Sequence, residues 1–86
     1  MIPRIREVKP LPGFCLRVVF DDGKTVIYPV MEDIEQIESY RDLLTVHGLF
    51  ETVQLDPSRT CLFWNSSIDL PSDAIYTYGL PENHPH

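Results

Sequence analysis

Three kinds of side chain in this 86-residue chain could carry chemistry: the interior histidine His47, the cysteines Cys15 and Cys61, and a run of carboxylates between Glu32 and Asp42. A thiol beside an imidazole is the arrangement of cysteine nucleophiles, in which the base takes the sulfur's proton. Nothing local marks either thiol as activated, since neither has a flanking histidine, a nucleophile elbow or a helix start. Glycines stand singly at 13, 23, 48 and 79, so no phosphate-cradling loop is present. No catalytic set, and hence no enzyme, is expected.

The acids Glu32, Asp33, Glu35, Glu38 and Asp42 are the right type for a hard cation, but their spacing fits no calcium loop. Carboxylates at i, i+3 and i+6 describe the wet side of a surface helix. They are therefore read as an acidic face for a protein partner, with no metal and no cofactor. Arg4, Arg6, Lys9 and Arg17 would line up as a phosphate-contacting strip if the first two strands pair, which is the alternative, nucleic-acid-binding reading. Against it stands the net charge of −6, with 13 acids to 7 bases. His84 and His86 form only a loose pair near the C-terminus.

The elements that must position these residues centre on Phe14 to Val30, two apolar runs joined by Asp21-Asp22-Gly23-Lys24. β-Branched and aromatic residues around an Asp-Gly dipeptide predict a β-hairpin. A three-residue turn with Gly23 left-handed pairs Val18 with Val26 and Leu16 with Tyr28. One face then holds Phe14, Leu16, Val18, Phe20, Val26, Tyr28 and Val30, and the other Cys15, Arg17, Val19, Thr25 and Ile27. The alternative two-residue turn shifts one arm to the opposite face. Residues 2 to 10, between Pro3 and Pro10, read as a first strand at a sheet edge.

Residues 31 to 49 read as mostly helical, broken near Ser39, where Ser39 and Asp42 resemble a capping box. Tyr40, Leu43, Leu44 and His47 would share the buried face. Thr52 to Leu55 and Cys61 to Trp64 read as strands around an Asp56-Pro57 turn, with Trp64 in the core. Ile68 to Tyr76 reads as a capped helical turn and 80–86 as a tail beyond a domain of residues 1–79. The fold class is α+β: an antiparallel sheet of about five strands, made of an N-terminal three-stranded meander and a C-terminal hairpin around one packed helix. Apolar runs of about four residues fall far short of a membrane span, nothing resembles a signal peptide, and the thiols are read as reduced, so a cytoplasmic location is expected.

Lys9-Pro10-Leu11-Pro12-Gly13 leading to Asp21-Asp22-Gly23, then Phe50 to Asp56, then Leu62-Phe63-Trp64-Asn65 through Ile68 to Tyr76 resemble the bacterial domain of unknown function family 2442. The resemblance spans about residues 4 to 78. It departs from the family where Trp64-Asn65-Ser66 replaces a Trp-Pro-Asn-Gly turn, and in a slightly longer helical region. It implies an α+β domain without catalytic residues to carry over. Some members look like the antitoxin of a toxin–antitoxin pair, and with the net charge of −6 a basic toxin is the expected partner. The hairpin's second face, with Cys15, Arg17, Val19 and Ile27, is the expected interface for a second copy or a foreign protein.

Overall fold

The computed structural model describes residues 2–65 and 67–82. Three strands open it: β1 (Ile5–Leu11), β2 (Cys15–Phe20) and β3 (Thr25–Pro29). They form the expected meander, and the register is that of the three-residue turn. Val18 faces Val26 and Leu16 faces Tyr28. Gly23, at φ 93°, donates its N–H to the Phe20 carbonyl, while the Phe20 N–H donates to Lys24. That left-handed residue is where glycine is required, because a Cβ would strain the backbone there.

A register shift between Ile5 and Glu7 explains why the first strand alternates imperfectly. The extra residue, Arg6, lets Ile5 and Val8 both face the core despite their odd spacing.

The helical segment breaks near Ser39, at Ile37, into α1 (Val30–Gln36), a 3-10 turn (Glu38–Arg41) and α2 (Asp42–Thr45). Its buried face is Val30, Ile34, Tyr40 and Leu43. Leu44 and His47 are exposed, contrary to the face predicted from spacing. The reason is the tighter winding of the 3-10 turn and the end of α2 at Thr45, which rotate both residues off the buried side. The Ser39 hydroxyl makes no capping bond.

The second half differs more. After a 3-10 turn (Phe50–Thr52) come β4 (Gln54–Leu55), β5 (Cys61–Asn65), β6 (Ile68–Pro71), α3 (Ser72–Tyr78) and β7 (Leu80–Pro81). Residues 68–71 are thus a strand, with Ile68 and Leu70 buried and Asp69 exposed, and the helix starts only at Ser72. Instead of one sheet of about five strands there are two, ordered β1-β2-β3-β7 and β4-β5-β6. The two-residue β7 pairs with Val26 and Ile27, so residues 80 and 81 are an edge strand of the domain. Residues 83–86, with His84 and His86, lie outside the described residues.

Both sheets contribute alternate residues to one core. Phe14, Phe50, Trp64 and Tyr40 form a line of ring contacts through it, at 5.2, 6.0 and 6.4 Å. The buried Trp64 indole donates to the Phe50 carbonyl at 2.9 Å, which answers the polar end of an otherwise apolar side chain. The Tyr40 hydroxyl donates to the Asp69 carbonyl, tying the helical segment to β6.

Four prolines sit inside strands: Pro10, Pro29, Pro71 and Pro81. Bonds from Phe20 to Lys24 and from Val30 to Phe14 show that even-numbered residues of β2 bond towards β3. Pro10, opposite Leu16, and Pro29, opposite Cys15, therefore lie where an N–H would point away from β2. The same alternation places Pro81, opposite Val26, and Pro71, opposite Cys61, with their nitrogens turned outward.

Gly79 closes α3 against β3. A Cβ there would lie 2.6 Å from the Ile75 carbonyl oxygen and 2.8 Å from a Val26 methyl. Since one of those neighbours is backbone, Gly79→Ala is expected to destabilise the fold by about 1–3 kcal/mol. Equilibrium urea unfolding checks this, with Gly48→Ala, where a Cβ meets nothing within 4 Å, separating crowding from the strain of a left-handed φ.

Candidate functional site

Three surfaces carry the residues singled out from the sequence. The first is the helical segment. Glu32, Glu35, Glu38 and Asp42 are exposed along it, while Asp33 is turned inward. Asp33 accepts a 2.6 Å bond from the Tyr28 hydroxyl, so it braces α1 against β3 and is not part of the wet face. Burial, then this bond, push the Tyr28 pKa well above the ordinary phenol value. The same segment exposes Ile37, Leu44 and Val46, each between 42% and 52% accessible. No cluster of three metal-ligating side chains occurs among the described residues.

The second surface is the far face of the four-stranded sheet. Register places Glu7, Lys9 and Leu11 of β1 beside Val19, Arg17 and Cys15 of β2. Of the four residues expected to await a partner there, Val19 is already buried by its neighbours and Cys15 and Ile27 are half-buried. Arg17 is held by a two-pronged ion pair to Glu82, 2.9 and 3.0 Å, which raises its pKa. The strip Arg4, Arg6, Lys9 and Arg17 is accordingly not continuous. Arg17 is neutralised by Glu82, Glu7 shares the face of Lys9, and Arg6 donates to the Asp21 carbonyl. The carboxylate of Glu82 was invisible to a reading that ended the domain at residue 79.

Each thiol has a backbone partner. Cys15 and Cys61 donate to the carbonyls of Gly13 and Leu62. Burial pushes the Cys61 pKa up, the opposite of activation. His47 is exposed in the loop after α2.

A third surface was not anticipated. Residues 2–4 cross the mouth between hairpin tip and α3, where the wholly buried Ser72 donates its hydroxyl to the Pro3 carbonyl at 2.6 Å. The Asp21 N–H donates to Arg4, and the Ile5 N–H to Arg59 at 2.7 Å. Arg59, left-handed at φ 61°, sends its guanidinium to Asp21 at 2.7 Å. Tyr76 stacks edge-on with Phe20 at 4.9 Å, donates to Asp22 at 2.7 Å and carries the Lys24 ammonium 4.0 Å above its ring. A hollow of about 610 Å³ opens there against Ile2, Pro3 and Phe20.

The match to known proteins falls across all three surfaces. A family model described as a protein of unknown function (DUF2442) matches residues 5–80. The chain belongs to that family. No curated protein and no solved structure matches it. The family's span takes in the helical segment, the hairpin and α3, whereas Ile2, Pro3 and Arg4, which wall the third surface, lie ahead of it. No helix among the described residues is long and apolar enough to cross a membrane.

The pH dependence of stability follows from these contacts. The Arg59 guanidinium lowers the Asp21 pKa, and the Tyr76 hydroxyl, with the Lys24 N–H, lowers that of Asp22. Groups with depressed folded pKa values contribute fully above the unfolded value, about 3.9, and lose that contribution as pH falls through the folded one. Tyr40 works in the opposite direction. Burial raises its pKa to about 12, so its contribution holds below the ordinary value and is lost as pH rises through the folded one. Urea midpoints are expected to drop on both sides of neutrality. Tyr76→Phe should flatten the acid limb and, because the Asp22 bond also raises the Tyr76 pKa, part of the alkaline one, whereas Tyr40→Phe should flatten the alkaline limb alone; unchanged limbs in these variants would contradict the assignments.

Proposed function

We propose that the chain is a non-enzymatic protein-interaction module that binds a basic protein through its helical segment, in the manner of an antitoxin neutralising a toxin. The observation that carries this reading is the composition of the exposed side of residues 32–46. Large apolar side chains at Ile37, Leu44 and Val46 stand open among the carboxylates of Glu32, Glu35, Glu38 and Asp42. Buried apolar area supplies affinity, at about 25 cal/mol per Å², while a ring of like charges selects and steers an oppositely charged partner. An acidic patch with no apolar content would be a solvated helix face, and an apolar patch with no charge would attract partners indiscriminately. The overall charge of −6 adds long-range attraction for a basic protein.

The half-buried, carbonyl-bonded thiols and the exposed His47 support the non-enzymatic part of the reading. Raised pKa at Cys61 points the same way. A bacterial pair of this kind is encoded side by side, so the product of the adjacent reading frame is the partner to try.

Co-expression with that product is expected to yield a complex that survives gel filtration at micromolar concentration and restores growth. Replacing Leu44 and Val46 by Asp, both already exposed, should weaken it about tenfold or more. Replacing Glu35, Glu38 and Asp42 by Lys should slow association and reduce its salt dependence. Absence of any complex, together with no rescue of growth, would rule the reading out.

A further inference from the structure

From the third surface we infer a second, separate docking site: a preformed groove at the hairpin tip that takes an extended peptide segment in which aliphatic and basic side chains alternate. The larger hollow, about 610 Å³, has Ile2, Pro3 and Phe20 as its apolar side and Arg4, Asp21 and Asp22 as its polar side. A smaller one, about 350 Å³, shares Pro3 and Asp22 and continues to Asp73, Tyr76 and Thr77. The shared residues make the two hollows neighbours, and an extended segment would lie across both.

Its walls are fixed in advance of any ligand. Ser72 fastens Pro3, the Asp21 N–H fastens Arg4, and Tyr76 fastens Asp22 while its ring packs on Phe20. A groove whose walls are already ordered costs little conformational entropy to fill. Ile2, 60% exposed beside Phe20, is apolar surface that an aliphatic side chain would cover.

Charge complementarity sets the rest of the ligand. Of the three lining carboxylates, Asp21 is matched by Arg59, Arg6 and Arg4, which leaves Asp22 and Asp73 as the acidic side of the groove. Arg59 compensates Asp21 from outside the groove, and the ammonium of Lys24 is engaged by the ring and carbonyl of Tyr76. Asp22 accepts bonds from Tyr76 and from the Lys24 N–H, and Asp73 accepts one from its neighbour Ala74. An ionised carboxyl has about four acceptor sites, so Asp22 and Asp73 retain capacity for a guanidinium or ammonium between them.

The site is independent of the helical surface. The groove lies at the end of β3 that begins with Thr25, and α1 leaves from the opposite end, after Pro29. A partner could therefore occupy one without the other.

The test is an amide-resolved NMR titration with an acetylated, amidated hexapeptide of alternating Leu and Arg, and with its Leu-Glu counterpart as control. Saturable shifts at residues 20–22 and 73–77 with the Arg peptide, absent with the Glu peptide, are expected. Asp73→Lys and Ile2→Ser change exposed side chains only, and each should weaken binding about fivefold with the remainder of the spectrum unchanged. No saturable shift at millimolar peptide, equal binding of both peptides, or undiminished binding by both variants would overturn the groove. Saturable shifts confined to residues 32–46 would likewise overturn it, while leaving the helical surface as the docking site.

Discussion

Two small sheets share one core in this chain, and neither has enough apolar area to stand alone. The seam that holds them together is short. Ile5 donates to Arg59, Ser72 donates to Pro3 through its hydroxyl and to Thr60 through its N–H, and Arg59 reaches across to Asp21. All but the Ser72–Thr60 bond join the first twenty or so residues to the last thirty, so the seam closes the longest loop in the molecule. Ser72 is the sole buried polar residue of the described core, and its hydroxyl is satisfied. Leaving it unpaired in that environment would cost about 1–3 kcal/mol, which is a sizeable part of a small domain's stability.

The hairpin was legible because three local signals agreed: β-branched arms, an Asp-Gly turn, and parity that puts seven apolar residues on one side. The break in the helical segment was also legible, although the capping box read at Ser39 and Asp42 forms no capping bond in the fold. What escaped was set by partners distant in sequence. Ile68-Asp69-Leu70 alternates as a strand should, but three residues are too few to outweigh the helix-start signal of Pro71-Ser72-Asp73, and only pairing with β5 decides it. Leu80 and Pro81 become a strand because Val26 and Ile27 offer an edge, not through any property of their own.

The same distinction separates the surfaces. Acids of the helical segment are adjacent in sequence and could be named from it, except that Asp33 turned out to serve Tyr28. The groove is assembled from positions 2–4, 20–22 and 73–77, which have no common pattern until the seam brings them together. Arg17 shows the converse: as a lone cation on a half-apolar face it invited a foreign partner, and the chain supplies its own carboxylate from residue 82.

The outward-turned prolines set how this domain behaves among copies of itself. Two narrow sheets with open edges are templates for strand addition, the first step towards fibrils. Pro10, Pro71 and Pro81 each withdraw a donor from an outer strand, and Pro29 withdraws one from the end of β3 that β7 does not pair with, while the inner ladders stay intact. The consequence is colloidal: growth by edge-on stacking is starved of hydrogen bonds, and contact with other proteins is diverted to the side-chain faces, where shape and charge can discriminate.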